Sequence, residues 1–320
     1  MRCFPFALSA LLLACSTAHT SGPDPHAATD AASSSTAAPV VAGASTEADD
    51  GSADSEWWTR DTPCPAGAEL KGAAPPSGKA VWCEKDGRPH GPKTTFFPSG
   101  QRESTRTYYQ GKALGRFVVW NESGTLAEEG RYRNDALEGH YVRHYKSGAK
   151  ELEGDFHAGK QNGSFKKLAE TGGVLLEEVQ YREGLRHGLA RVFFDSGKLK
   201  EETEYAGGLK HGASRTFYEN GQQRSAGKYA SDKQVGVWRS WRENGMPLEE
   251  RHYVAGKKEG TAIRWQKNGA KEFEGAYKAD EMDGPFNYFD GDTNLIKTEQ
   301  YQNGRLVSTK KFPKKHKPAR

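Results

Sequence analysis

The stretch "GLKHGASRTFYENG", Gly208–Gly221, returns in varied form along the chain. The next copy is "DKQVGVWRSWRENG", Asp232–Gly245, and the one after it is "GKKEGTAIRWQKNG", Gly256–Gly269. Each of these copies starts 24 residues after the previous one. A fixed period of this length is typical of repeat architectures, in which one small unit stacks on its neighbours.

One glycine in each copy serves as a reference and is called the anchor glycine. The nine anchor glycines are Gly91, Gly115, Gly139, Gly163, Gly188, Gly212, Gly236, Gly260 and Gly284. Positions are written below as offsets from this residue. Offset −7 is aromatic in eight copies, offset −4 is Gly or Asp, offset +9 is a second glycine in eight copies, and offset +5 is usually large. The one extra residue lies between Gly163 and Gly188, at the doubled Gly172-Gly173.

Each copy offers two turn sites that flank two short strands. The turn phrases "ENG", "KNG", "ESG" and "DSG" supply residues that tolerate a positive φ. Segments between turns, such as "VWRSWR" and "LEERHY", are rich in aromatic, branched and charged side chains. We therefore predict an all-β fold, an elongated single-layer antiparallel β-meander (a solenoid-like ribbon) of about nine 24-residue hairpin repeats. Strict alternation would place offsets +2 and +5 on opposite faces, whereas a bulge or strong twist would bring them onto the same face.

The phrases "EGLRHGLARVFFDSGKLKEE" and "GLKHGASRTFYENGQ" resemble MORN repeats, in the bacterial variant whose members are often labelled YwqK-type antitoxins. The resemblance covers roughly residues 85–307. It implies a twisted, single-layer β-sheet, which we assign to residues 85–309. The family label also implies an alternative function, neutralisation of a toxin. Export of the chain would argue against neutralisation in the cytosol.

The first residues, "MRCFPFALSALLLAC", carry one positive charge and a short apolar run that ends at Cys15. The run is too short to span a bilayer and indicates a secretory signal. Its end resembles a lipobox, so residues 1–14 are predicted to be a lipoprotein signal peptide and Cys15 the lipidated residue. An ordinary signal with a chance cysteine is the alternative. Ser16 after the cysteine favours the outer membrane, so we expect a cell-envelope, outer-membrane lipoprotein that faces the periplasm or the surface.

The two ends of the chain carry opposite charge. Residues 16–56 hold seven acidic residues and no basic one, and are rich in Ala, Ser, Thr and Gly. Residues 15–56 are therefore predicted to be the lipidated cysteine and a disordered acidic linker. Residues 310–320 hold six basic residues and no acidic one. This basic C-terminal tail is either a solubilising, edge-protecting end or a contact with an anionic envelope component such as lipopolysaccharide, phospholipid or cell-wall polymer.

Two cysteines, Cys64 and Cys83, remain after the predicted signal and lipid site. In an oxidising compartment they most simply pair with each other, which predicts a disulfide within an N-terminal cap of residues 57–84. A metal site is the alternative, but only His90 stands nearby in the sequence. The other histidines at offset −1, His187 and His211, belong to adjacent repeats about 9.6 Å apart, too far for one zinc ion.

The chain shows no catalytic motif in a suitable setting. We therefore predict no enzyme activity, no cofactor and no metal. We also predict no nucleic-acid partner, since the formal net charge is only +4 over 320 residues. The main hypothesis is a non-enzymatic, membrane-anchored envelope lipoprotein whose repeats form a protein-interaction scaffold. Binding of an anionic polymer or lipid through the basic tail is the alternative. The candidate interaction aromatics are Trp120, Phe217, Trp238, Trp241 and Trp265.

Overall fold

The computed structural model describes residues 56–313, which belong to the compact unit Asp54–Arg320. The predicted signal peptide, Cys15, nearly all of the predicted acidic linker and residues 314–320 of the predicted basic tail lie outside the described residues.

The described residues form one 3-10 turn, Trp57–Thr59, and 24 strands of a single sheet. The strands are β1 (Glu69–Ala73), β2 (Ala80–Lys85), β3 (Arg88–Phe96), β4 (Arg102–Tyr109), β5 (Lys112–Trp120), β6 (Leu126–Arg133), β7 (Ala136–Leu137), β8 (Gly139–His144), β9 (Lys150–His157), β10 (Lys160–Gln161), β11 (Gly163–Leu168), β12 (Leu175–Arg182), β13 (Leu185–Phe193), β14 (Leu199–Ala206), β15 (Leu209–Phe217), β16 (Gln223–Ala230), β17 (Lys233–Trp241), β18 (Pro247–Val254), β19 (Lys257–Trp265), β20 (Lys271–Lys278), β21 (Glu281–Met282), β22 (Gly284–Phe289), β23 (Leu295–Gln302) and β24 (Arg305–Lys311).

The strands pair antiparallel and in chain order. Thus β12 pairs with β13, β13 with β14, and so on along the repeats. The two-residue strands β7, β10 and β21 are the first parts of hairpin strands that β8, β11 and β22 continue. Within residues 56–313, β1 and β24 each pair on one side only, so the sheet is open. The predicted all-β, single-layer antiparallel meander is confirmed.

One set of turns occupies offsets −5 and −4, where both residues have a positive φ. Ala255 has φ 49° and Gly256 has φ 87°, the combination of a type I′ hairpin turn, whose twist matches that of the flanking strands. Where offset −4 is Asp, its carboxylate accepts from a backbone N–H of the preceding repeat, as Asp232 does from Lys210 at 2.8 Å. The backbone N–H at offset −4 also donates to a carbonyl of the preceding repeat, as Gly208 does to Arg186 at 2.9 Å and Asp232 does to Lys210 at 3.0 Å, so both residue types join one turn to its neighbour.

The second set of turns ends at the glycine of offset +9. In the copy Gly208–Gly221, the Gly221 N–H donates to the Tyr218 carbonyl at 2.9 Å, and the Tyr218 N–H donates to the Gln222 carbonyl at 2.8 Å. Gly221 has φ 86°, a left-handed conformation that other L-residues adopt at a cost. The geometry of the turn thus favours the glycine of "ENG", although Thr293 adopts φ 67° at the same offset in the ninth copy.

Two bulges in each repeat decide which side chains share a face. In β13, Val192 pairs with Glu201 but the next residue, Phe193, pairs with Leu199, so one residue of β14 has no partner in β13. Another bulge lies beside the anchor glycine. Cross-strand partners point to the same side of a sheet. Offsets +2, +4, −9 and −7 consequently form one face, called the +2 face, and offsets +3, +5 and −10 form the opposite one, called the +5 face.

The +2 face is packed by rings that lie over glycines. A Cβ added to Gly227 would lie 2.1 Å from the Trp238 ring, and one added to Gly275 would lie 2.5 Å from the Phe286 ring. In the repeat where offset +2 is the small Ser214, the residue at offset −9 is Thr203, and their hydroxyls are 2.9 Å apart. Large and small side chains therefore compensate each other in volume along the sheet.

The N-terminal segment packs on the +5 face of the first repeat. Cys64 and Cys83 are joined by a disulfide, and the Trp57 indole N–H donates to the Thr94 hydroxyl at 2.9 Å. Trp57, Val81, Cys83 and Phe96 form a buried cluster. Strand β2 lies in the range predicted for the cap, yet it pairs with β3 as the equivalent strands of later repeats do.

Candidate interaction surface

The side chains at offset +5 form a row on the +5 face, one for each repeat. The row consists of Phe96, Trp120, His144, Leu168, Phe193, Phe217, Trp241, Trp265 and Phe289. Phe96 is only 8% exposed, whereas the other eight are half-buried. The structure therefore brings four of the candidate aromatics, Trp120, Phe217, Trp241 and Trp265, onto one face at regular strand spacing.

Phe96 differs from the rest of the row because the N-terminal segment covers it. The Trp58 ring packs edge-on against Phe96 with 5.6 Å between ring centroids, and Trp57 packs edge-on against Trp58 at 5.7 Å. Edge-to-face aromatic pairs stabilise beyond the area that they bury. In the first repeat, therefore, an aromatic segment of the chain itself docks on the residue at offset +5 and buries it.

In four copies the residue next to the row, at offset +6, ties its repeat to the following one; these residues are Tyr145, Tyr218, Arg242 and Gln266. The Tyr218 hydroxyl donates to the Trp241 carbonyl at 2.9 Å, and an Arg242 guanidinium N–H donates to the Trp265 carbonyl at 2.7 Å. These bonds hold the backbone of the row at a fixed spacing. Sequence reasoning missed these positions, although a polar donor at offset +6 in several copies is a detectable signal.

Trp238 lies apart from the other candidates, on the +2 face. Its ring packs over Gly227 and beside Tyr229, with 5.0 Å between the ring centroids of Trp238 and Tyr229. Its indole N–H donates to the Lys228 carbonyl at 3.1 Å. Trp238 and Trp241 are therefore not two parts of one surface, because they project from opposite sides of β17.

Charged side chains at offsets +3 and −10 form a ladder across the middle of the +5 face. Arg191 donates to Glu178 at 3.3 Å and to Glu202 at 2.9 Å, and Arg215 donates to Glu202 at 2.6 Å. Glu178 and Glu202 thus each lie between basic residues on the two neighbouring strands, Lys166 and Arg191 for Glu178, and Arg191 and Arg215 for Glu202. The sequence shows charged side chains between the turns, but it does not by itself determine which of them pair across strands.

Glu202 is the most enclosed acid of this ladder, with 13% of its side chain exposed. Burial raises the pKa of Glu202, but hydrogen bonds from Arg191 and Arg215 outweigh it, so the net pKa lies below the ordinary value. A hydrogen bond to Glu202 in turn raises the pKa of the Arg191 guanidinium. Glu202 and Arg191 are therefore both ionised at neutral pH, and their ion pair stabilises the pairing of β13 with β14.

The other predicted residues are placed as follows. His187 and His211 lie in adjacent repeats, and residues 56–313 hold no group of three or more His, Cys, Asp and Glu side chains that could bind a metal ion. No helix in that range is both long and apolar enough to cross a membrane. Lys310 and Lys311, the start of the predicted basic tail, end the exposed strand β24.

Comparisons with known proteins agree with the repeat. Three segments match the family described as MORN repeat variant, at residues 186–206, 210–229 and 234–255. No curated protein matches the chain.

Among solved structures, the chain is similar to the crystal structure of TcdB2-TccC3, with 11% identity over 67% of this chain and 14% of that one, and a TM-score of 0.15. It is also similar to a Photorhabdus luminescens Tc holotoxin pore with a mutated TccC3, with 10% identity over 74% of this chain and 17% of that one, and a TM-score of 0.13. This chain spans less than a fifth of the length of those chains, and these likenesses support no conclusion about it. The repeats of residues 186–255 are MORN repeats of the variant type, and the remaining copies share their frame.

Proposed function

We propose that this protein is a non-enzymatic scaffold of the cell envelope, and that it binds a protein partner through the row at offset +5. The observation that carries the proposal is the contrast within that row. One member, Phe96, is already buried under two tryptophans of the N-terminal segment, while the equivalent residues of the later repeats are half-exposed. A partner with aromatic or apolar side chains would cover the later positions in the same way.

The spacing of the row favours an extended partner. Equivalent residues are two strands apart, about 9.6 Å, and the hydrogen bonds from offset +6 hold this spacing. A rigid row of large side chains loses little conformational entropy on binding, and such residues dominate interface energetics. The row at offset +5 is thus suited to a partner that runs across several repeats.

The proposal includes attachment to the outer membrane through lipid on Cys15, because the first residues end in a lipobox-like phrase. It also includes membership in the YwqK-type group, supported by phrases such as "EGLRHGLARVFFDSGKLKEE". The residues that recur in every copy have turn, packing or pairing functions. This regularity supports a scaffold rather than an enzyme.

Site-specific photo-crosslinking in intact cells tests the proposal. A photoreactive amino acid is placed at Phe217 of the +5 face in one strain and at the adjacent Thr216 in another. Thr216 is the matched control, because it is also half-buried and in β15 but belongs to the +2 face. We expect a discrete protein adduct from Phe217, and likewise from Trp120 and Trp265, but not from Thr216. Equal adducts from both faces, or none at any of the three row positions, would contradict the proposal.

A further inference from the structure

The charge ladder of the +5 face has one gap. Offset −10 is glutamate in six of its nine copies, and the full set is Val81, Thr105, Glu129, Glu153, Glu178, Glu202, Ala226, Glu250 and Glu274. At offset +3, three successive copies carry arginine, namely Arg191, Arg215 and Arg239. Ala226 is therefore the position where an acid is missing between two arginines.

The pairing register confirms this arrangement. Ala226 pairs with Arg215 on one side and with Arg239 on the other. Each arginine has its carboxylate partner on its outer side, since Arg215 donates to Glu202 at 2.6 Å and Arg239 donates to Glu250 at 2.7 Å. Each arginine side chain is 53% exposed. Both retain N–H donors that can turn toward the space above Ala226, because a guanidinium has five.

This space is open to a ligand. Ala226, Lys228, Arg239 and Trp241 line a cleft of about 500 Å³ between β16 and β17. The cleft combines positive charge from two of these residues with the ring of Trp241, a member of the row at offset +5. Such a combination suits an acidic side chain that has an apolar neighbour.

We propose that the gap at Ala226 binds a glutamate or aspartate side chain of the partner protein, which completes the ladder from outside. The inference rests on the proposed function and further specifies that the partner residue bound at the gap is negatively charged. Glu202 provides the geometric template, because its carboxylate accepts from Arg191 at 2.9 Å on one side and from Arg215 at 2.6 Å on the other. A ligand carboxylate above Ala226 would accept from Arg215 and Arg239 in the same way.

The test uses the purified full chain and a short blocked peptide with one glutamate beside a leucine, together with the same peptide carrying glutamine. The side-chain N–H resonances of Arg215 and Arg239 are followed by NMR during titration. We expect the glutamate peptide to shift both resonances to saturation and the glutamine peptide to leave them in place. Equal shifts with both peptides, or no shift with either, would overturn the proposal.

Variants locate the site. Ala226→Glu fills the gap as glutamate does in the neighbouring repeats, and we expect at least a tenfold loss of affinity with an unchanged or higher Tm. Ser240→Glu is the matched control, since it adds the same charge on the +2 face of β17, and it should bind as the parent does. Parent-like binding by Ala226→Glu overturns the proposal. If this variant melts early, Ala226→Gln decides the point, because it fills the same space without a charge and must also weaken binding.

Two further outcomes are informative. Inorganic phosphate is titrated in the same way. If phosphate shifts the side-chain resonances of Arg215 and Arg239 and the glutamate peptide does not, the ligand of the gap is a phosphate rather than a carboxylate, and the proposal is overturned. The peptide titration needs no cellular partner, so it can fail while photo-crosslinks form at Phe217. Conversely, peptide binding with no crosslink would leave this site standing and remove the proposed function.

Discussion

Gly227 has no side chain, and this leaves room for the large ring of its cross-strand neighbour Trp238. The tryptophan ring occupies the place that a Cβ on Gly227 would take, at 2.1 Å. One repeat earlier, Thr203 and Ser214 fill the equivalent pair of positions with two small side chains. The pair of positions is thus filled in two ways, by one large ring over a glycine or by two small hydroxyl side chains.

A double-mutant cycle tests this compensation. Gly227→Thr alone forces a clash with the ring, and Trp238→Ser alone leaves a cavity, so each should cost about 2–4 kcal/mol of unfolding free energy. The double variant recreates the Thr203–Ser214 pair and should be less destabilised than the sum by at least about 1 kcal/mol. Chemical denaturation of the three variants gives the values. Additive costs would contradict the compensation.

Glycines at positive φ differ in how replaceable they are. Gly212 has φ +104° and a Cβ there would lie 1.9 Å from the Glu204 carboxylate, so Gly212→Ala should cost about 1–3 kcal/mol. Gly207 has φ +57° with nothing within 4 Å of its added Cβ, and Ala255 occupies the equivalent position at φ 49°. Gly207→Ala should therefore change the melting temperature little. Similar losses in both variants would contradict this prediction, because they would show that a positive φ carries the same cost whatever surrounds the added Cβ.

At the scale of the strands, the sequence predicts the hairpins but not their faces. The period and the glycines locate the turns because type I′ and related turns require a positive φ at fixed places. The side of each residue depends on bulges, and these arise from pairing across strands rather than from local residues. Trp238 and Trp241 illustrate the result. The sequence left open whether offsets +2 and +5 share a face, and the structure places these two residues on opposite ones, while Cys64 and Cys83 are paired as predicted.

The charge ladder predicts a pH-dependent contribution to stability. Because the folded pKa of Glu202 is lowered from 4.5, its contribution is complete above the unfolded pKa and is lost as the pH falls through the folded pKa. Glu202→Gln should therefore reduce the unfolding free energy by about 1 kcal/mol at neutral pH, and the difference should shrink as the pH falls below 4.5 through the lowered folded pKa. Thermal melts of parent and variant between pH 3 and 7 measure it.

Glu219→Gln, in an exposed turn, controls for the loss of one charge. High salt should shrink the Glu202→Gln difference, because the arginine partners are partly exposed. A difference that stays constant from pH 7 to pH 3 would show that Glu202 acts through packing alone.

For the whole molecule, attachment to the envelope is predicted to depend on Cys15. Cys15→Ser should release the chain from the membrane fraction or leave the signal uncleaved, because the sulfur that would carry the lipid is gone. Cell fractionation and the mobility of the chain on a gel measure the outcome. Cys3→Ser, which changes the other N-terminal cysteine, should behave as the parent does. A Cys15→Ser chain that fractionates and migrates as the parent does would exclude lipidation at this residue.

The central claim is that the row at offset +5, and not the basic tail, binds the partner. The most direct measurement places the photoreactive amino acid at Trp120 in three chains and compares the yield of the crosslinked partner in intact cells. The three chains are the parent, a chain ending at residue 309, and a variant with Phe217, Trp241 and Trp265 changed to serine. Melting curves of the purified proteins establish that all three fold. We predict that the shortened chain keeps its adduct at low and high salt, whereas the triple variant loses at least nine-tenths of it. Loss of the adduct on removing residues 310–320, with the triple variant unaffected, would contradict the account.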